Sequence, residues 1–218
     1  MESWIYRILL QAPPFILAIV LHEVAHGYAA WKLGDPTAKR LGRLTLNPLK
    51  HIDPMFSLIL PGFLMLVGSP VIFGGAKPVP VVPLHFRNPR LGMVIVAAAG
   101  PIVNLILAAV AFAVLSMDIS ILTGLGPTVS NAIQYVLVPW FAFSLLINLV
   151  LALFNLLPVP PLDGGRIAVG LLPRALAIPL ARLEPYGIFV AFALVYSGFV
   201  NAYIEPVILF IAERLTQP

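Results

Sequence analysis

Five stretches of this chain, residues 8–31, 54–73, 91–117, 132–157 and 185–212, are apolar over lengths that suit a lipid bilayer. A helical crossing needs about 20 such residues. The composition agrees: 60% of the residues are hydrophobic, 10% are charged and the mean hydropathy is +0.99, whereas about a quarter of a soluble domain is charged. An open sheet would leave backbone groups unpaired in hydrocarbon, so helices are expected. The chain therefore reads as a single all-α polytopic membrane domain over residues 1–218, with about five to six transmembrane segments. The first residues carry no basic leader and no small-residue cleavage site, so the first stretch is expected to be retained as a span.

The cations report topology. Placing segments 32–53, 74–90 and 158–184 on the cytoplasmic side puts 11 of the 13 Lys and Arg there, leaving only Arg7 and Arg214 elsewhere, as the positive-inside rule requires. The net charge of +4 is thus explained without a nucleic-acid partner, and none is expected. This assignment conflicts with a simple count of crossings, because one crossing per stretch would put 32–53 and 74–90 on opposite sides. Either residues 54–73 re-enter, or the 17 residues from Gly74 to Arg90 return in extended form; such a length reaches roughly 55 Å. Irregular backbone at membrane depth must be buried in protein or line a wet cavity. A re-entrant extended or β segment near 74–90 is therefore expected beside whatever site the protein carries. In the last stretch, Pro206 interrupts the helical ladder, and one span to about Phe199, then a bend and a short interfacial helix, is expected.

The chemistry is concentrated at His22-Glu-Val-Ala-His26, inside the first apolar stretch. Residues four apart on a helix share a face, so His22 and His26 can turn imidazole nitrogens toward one metal ion while Glu23 stands beside them. Ionisable groups at this depth are costly and usually functional. With no cysteine in the chain, a metal must be held by His, Asp, Glu or water. Asp163 is the candidate third ligand, because it follows the fourth stretch in Asn155-Leu-Leu-Pro-Val-Pro-Pro-Leu-Asp163-Gly-Gly165, where prolines end a helix and glycines allow a sharp turn. Asp35, Asp53, Asp118 and Glu205 read as solvated loop or helix-end charges, and His51 and His85 as interfacial polar residues.

Three elements in order, His22-Glu-x-x-His26, Gly100-Pro101-x-x-Asn104 and Asn155-x-x-Pro158 leading to Leu162-Asp163-Gly164, resemble the site-2 protease family of intramembrane zinc metalloproteases. The resemblance runs from about residue 15 to 170. It implies a three-helix catalytic core within residues 8–170, a C-terminal part over 185–214, and one Zn2+ per chain on His22, His26 and Asp163. It further implies cleavage of a peptide bond within or beside the transmembrane helix of a single-span membrane protein substrate. Segment 74–80 resembles the extended element that members place beside the site. Nothing in the chain reads as the PDZ or CBS domains of larger members, and a prokaryotic plasma membrane with the site nearer the cytoplasm is the expected location.

In that chemistry Glu23 is the expected general base. Asn155 or Asn104 would donate a hydrogen bond to the substrate backbone or to the developing oxyanion, unless Asn104 merely ties helices together. Residues 75–82, with Gly75, Lys77 and Val79, would pair with an unwound substrate as an edge strand, whose prolines suit that position. Two other classes fit less well. A metal-ion transporter would spread its ligands along several spans, and a non-proteolytic membrane scaffold would have no need of Glu23.

Overall fold

The computed structural model describes residues 4–59, 62–63, 66–67, 75–117 and 126–216. Helix α1 runs over Trp4–Lys32, with the short α2 at Thr37–Arg40 and α3 over Pro89–Leu115. Then come α4 at Pro127–Ala132, a π-helical stretch at Ile133–Leu137, and α5 over Val138–Asn155. The C-terminal part comprises α6 (Asp163–Leu171), α7 (Arg174–Ala181), α8 (Gly187–Tyr196) and α9 (Phe199–Thr216). No β-strand forms among the described residues. Among the described residues, three helices are long and apolar enough to cross a membrane: Ile5–Lys32, Pro89–Leu115 and Pro127–Asn155. A fourth arises if Arg174–Tyr186 and Phe189–Tyr196, bent by 84°, make one span. Half of the stretch 54–73 lies outside the described residues, and its beginning, Pro54–Ile59, is a π-helical turn.

Helix α3 is the central post, against which α1, α5 and α6 all pack. Its start is fixed locally: Asn88 caps the helix by accepting from the Leu91 N–H at 3.1 Å, and Pro89 occupies the first turn. Ala108 and Ala111 of α3 meet Leu145 and Leu149 of α5, the small residues allowing close approach. Helix α9 closes this cluster with Ile211 and Leu215. The break in the last apolar stretch falls at Gly198, beside the expected end of the span at about Phe199, and its φ of +76° favours glycine. Pro206 instead lies inside the 18-residue α9.

Residues 75–82 are extended but pair with no strand among the described residues. The segment is held along one side by the 33–57 excursion. Lys77 N–H donates to the His51 carbonyl at 2.8 Å, and the Ser57 hydroxyl donates to the Gly75 carbonyl at 2.7 Å. The buried Arg43 guanidinium donates to the carbonyls of Lys77 at 2.6 Å and Pro78 at 3.4 Å. One backbone bond and two side chains, not a neighbouring strand, thus satisfy the backbone here.

Candidate metal centre

Three ligand-type groups from distant parts of the chain converge near the C-terminal end of α1. His22 and His26 project from one face of α1, with their Nε2 atoms 3.0 Å apart. Asp163 Oδ2 lies 3.2 Å from His22 Nε2 and 3.3 Å from His26 Nε2. All three residues are buried, at 7%, 9% and 6% exposure. Gly100 of α3 makes room for the rings: a Cβ there would stand 2.4 Å from His26 Nε2 and 2.6 Å from His22 Cε1. Glycines also deliver the carboxylate. A Cβ at Gly164 would meet the Leu156 carbonyl oxygen at 2.2 Å, and one at Gly165 would meet the Pro160 nitrogen at 2.2 Å. Only without those side chains does α6 begin tight against the turn that follows α5.

The outer hydrogen bonds fix the imidazole tautomers. His26 Nδ1 lies 2.7 Å from the Val96 carbonyl, which can only accept, so Nδ1 carries the proton. His22 Nδ1 lies 2.6 Å from Asn104 Oδ1. The orientation of that amide follows from carbonyls further out: Asn104 Nδ2 donates to the Ala18 carbonyl at 3.3 Å and to Asn148 Oδ1 at 2.8 Å, and Asn148 Nδ2 donates to the Ser144 carbonyl at 2.8 Å. Asn104 and Asn148 are 0% and 1% exposed. In the neutral imidazoles both Nε2 atoms are therefore bare lone pairs. They face Asp163 Oδ2, which is buried with no hydrogen-bond donor. Three acceptors this close repel one another unless a cation lies among them. An ion with tetrahedral bonds of 2.0–2.1 Å separates its ligand atoms by about 3.3 Å, the spacing found here. The donor set fits zinc, and no other such His/Asp/Glu group is found among the described residues.

Glu23 is turned from this cluster toward the extended segment, where its Oε2 accepts the Val79 N–H at 2.8 Å. Val79 is 8% exposed, and its side chain faces Gly27, at which a Cβ would stand 2.8 Å from Val79 Cγ1. Lys77 and Gly75 follow in the same segment with their backbones held by the excursion. Asn155 is the last residue of α5, and its Nδ2 donates back to the Leu151 carbonyl at 2.9 Å. No hydrogen bond joins Asn155 to the cluster among the described residues. Both ends of the Asn104 amide are engaged within the protein.

Two groups differ from the sequence expectation. Asp35, expected to be a solvated loop charge, is 0% exposed. Burial works to raise its carboxyl, but hydrogen bonds from the Thr37 hydroxyl, the Val82 N–H, the His85 ring and the Thr37 N–H outweigh this and hold it at about 2. His51 is 3% exposed and its Nε2 contacts the Thr45 carbonyl at 2.9 Å, so it is a core residue of the excursion and not an interfacial one. Asp118 lies outside the described residues, and Glu205 is exposed.

The comparisons with known proteins agree with this centre. A Bacillus subtilis (strain 168) protein named "Putative zinc metalloprotease YwhC" is 39% identical over 208 residues, covering 94% of this chain and 89% of the relative. "Putative zinc metalloprotease Rip2" of Mycolicibacterium smegmatis is 30% identical over 202 residues, covering 92% of this chain and 72% of the relative. No solved structure matches the chain. Peptidase family M50 matches residues 12–198, a span that contains both histidines, Asp163 and the helices α3, α5 and α6 around them, and the chain belongs to this family, that of the site-2 proteases.

Proposed function

We propose that this chain is an intramembrane zinc metalloprotease that hydrolyses a peptide bond within or next to the transmembrane helix of a single-span membrane protein. The observation that carries this reading is the meeting of two unprotonated imidazole nitrogens and an undonated carboxylate oxygen, 3.0–3.3 Å apart, inside an apolar helical core. Membership of the M50 family and the metalloprotease names of the relatives support it. His22, His26 and Asp163 would hold the ion. Zinc, when bound, acidifies water and polarises a carbonyl.

The chain's own groups supply the rest. Glu23, adjacent to His22 in sequence, takes a proton from the attacking water and returns it to the leaving amine. Val79 N–H holds one of its oxygens. Asn104 orients the His22 ring instead of meeting substrate, a role its buried hydrogen bonds support. Substrate main chain runs past Gly75, Lys77 and Val79 toward Asn155. In extended backbone the N–H groups of alternate residues point the same way, so with the Lys77 and Val79 N–H groups turned inward, Pro78 and Pro80 remove the N–H donors from the outer edge. His26 lies six residues before Lys32, the last residue of α1, so the centre sits about 9 Å below that helix end. The basic 32–53 excursion supports a cytoplasmic location for that end.

The decisive experiment measures zinc content and cleavage of a panel of single-span substrates for wild type and Glu23→Gln. Zinc-loaded wild type that cleaves, beside zinc-loaded but inactive Glu23→Gln, is the expected result. Full activity in Glu23→Gln would remove the mechanism.

A further inference from the structure

A second polar centre lies between the end of α1 and the start of α3, and the chemistry above does not use it. Asp35 is fully buried there, and every one of its hydrogen-bond partners is named by position: Oδ2 accepts the Val82 N–H at 2.7 Å, while Oδ1 accepts the Thr37 N–H at 3.0 Å, the Thr37 hydroxyl and the His85 Nδ1–H at 2.7 Å. Buried carboxylates are rare unless they are paired in this way. Thr37 is local, but Val82 and His85 come from 47 and 50 residues further on, so the carboxylate joins the excursion after α1 to the far end of the extended segment.

That segment is tied at three places. Its near end is held by Arg43 and by the Lys77 N–H bond to His51, its far end by Asp35, and between the two ties Val79 N–H reaches Glu23. Pro78 and Pro80 flank Val79 and fix φ on both sides of it. The stiff stretch from Val79 to Val82, three residue steps and roughly 10 Å long, transmits any displacement of its end. Packing of Val81 against the Ala30, Phe86 and Val96 cluster is the apolar restraint that accompanies the Asp35 tie on this side.

We propose that Asp35 is a positioning residue for Glu23: it pins the far end of residues 77–82, so that the Val79 N–H stays on one carboxylate oxygen of Glu23 and the other is presented to the reacting water. This rests on the assignment of Glu23 as general base. Asp35 itself touches neither substrate nor metal ligand. Its contribution is to the rate of the chemical step, with metal affinity and substrate affinity left to other residues.

The chain has no cysteine, so Val81→Cys introduces a single thiol into the segment. In the zinc-loaded full-length protein, reaction of that thiol with a water-soluble maleimide reads segment release directly. Asp35→Asn preserves size but sets an amide donor against one of the N–H groups that the carboxylate accepts. Expected are labelling about tenfold faster, kcat per bound zinc about tenfold lower, KM within about twofold and unchanged zinc content, the scale of one lost charge-assisted hydrogen bond. His85→Ala, which removes one half-exposed donor, should give the same signs with smaller size and serves as the test if Asp35→Asn fails to accumulate. Unchanged labelling would show that Asp35 is not the anchor. Faster labelling with kcat per zinc unaltered would show that the segment does not govern Glu23, and loss of zinc would make Asp35 a determinant of the metal site instead. Absence of cleavage in the wild type would overturn the protease reading itself, a result the labelling arm does not share.

Discussion

Asn104 is the residue on which the state of the metal centre depends most. Its amide lies at the head of a chain running from the Ser144 carbonyl through Asn148 to His22 Nδ1, so a backbone group of α5 sets the tautomer of an imidazole on α1. Replacing Asn104 by Leu should preserve volume, leave the His22 Nδ1–H and Asn148 Oδ1 without partners, and weaken zinc binding about 10- to 100-fold, as expected for an outer-shell partner of a metal-binding histidine. Competition with a calibrated chelator measures this. The ligands themselves behave differently. His22→Ala, His26→Ala and Asp163→Ala should each strip zinc from the purified protein, whereas Glu23→Gln should retain about one ion per chain. Zinc lost from a Glu205 or Asp53 variant but kept in Asp163→Ala would refute the ligand set.

At the scale of elements, glycines decide how closely helices approach the centre. Gly100→Ala puts a methyl group 2.4 Å from His26 Nε2, with α3 too well packed to retreat, so zinc content should collapse although no ligand has changed. Elemental analysis beside circular dichroism would separate this from unfolding. The tie at Asp35 has a pH signature. Its carboxyl is lowered from 3.8 to about 2 in the folded protein, so its stabilising contribution is fully present above the unfolded value and fades as pH falls toward 2. Acid unfolding should show wild type exceeding Asp35→Asn in stability at neutral pH, with the gap closing between about pH 4 and pH 2. These elements were unequally legible in the sequence. His22, Glu23 and His26 lie within one helical turn and a half, so spacing alone places them. Asp163 was found through its Pro/Gly surroundings and a family resemblance. Asp35 was missed because its partners Val82 and His85 are remote in sequence, and no local pattern marks a carboxylate whose donors arrive from another segment. The conflict between charge topology and span count points to an irregular segment near residues 74–90, but not to its being held by side chains and one loop carbonyl in place of strand pairing.

For the whole molecule, the packing order constrains which ends of the helices lie together. Val96 and Gly100 in the first half of α3, His26 near the end of α1 and Asp163 just past α5 all meet at one centre. The 33–57 excursion, the start of α3 and α6 must then lie on one side, and the far end of α3 with the start of α4 on the other. On the positive-inside rule the Lys- and Arg-rich first side is expected to be the cytoplasmic one. Single cysteines at Lys39, Arg87 and Arg174 should therefore react with an impermeant thiol reagent only from the cytoplasmic face of sealed vesicles, and one at Thr128 only from the opposite face. Because the native chain has no cysteine, each signal has one source. Lys39 and Arg87 are the informative pair. Opposite labelling of these two would require residues 54–90 to make one net crossing, which would separate His51 from Lys77 and Asp35 from Val82 across the bilayer, and the Val79 bond to Glu23 could not form in that topology.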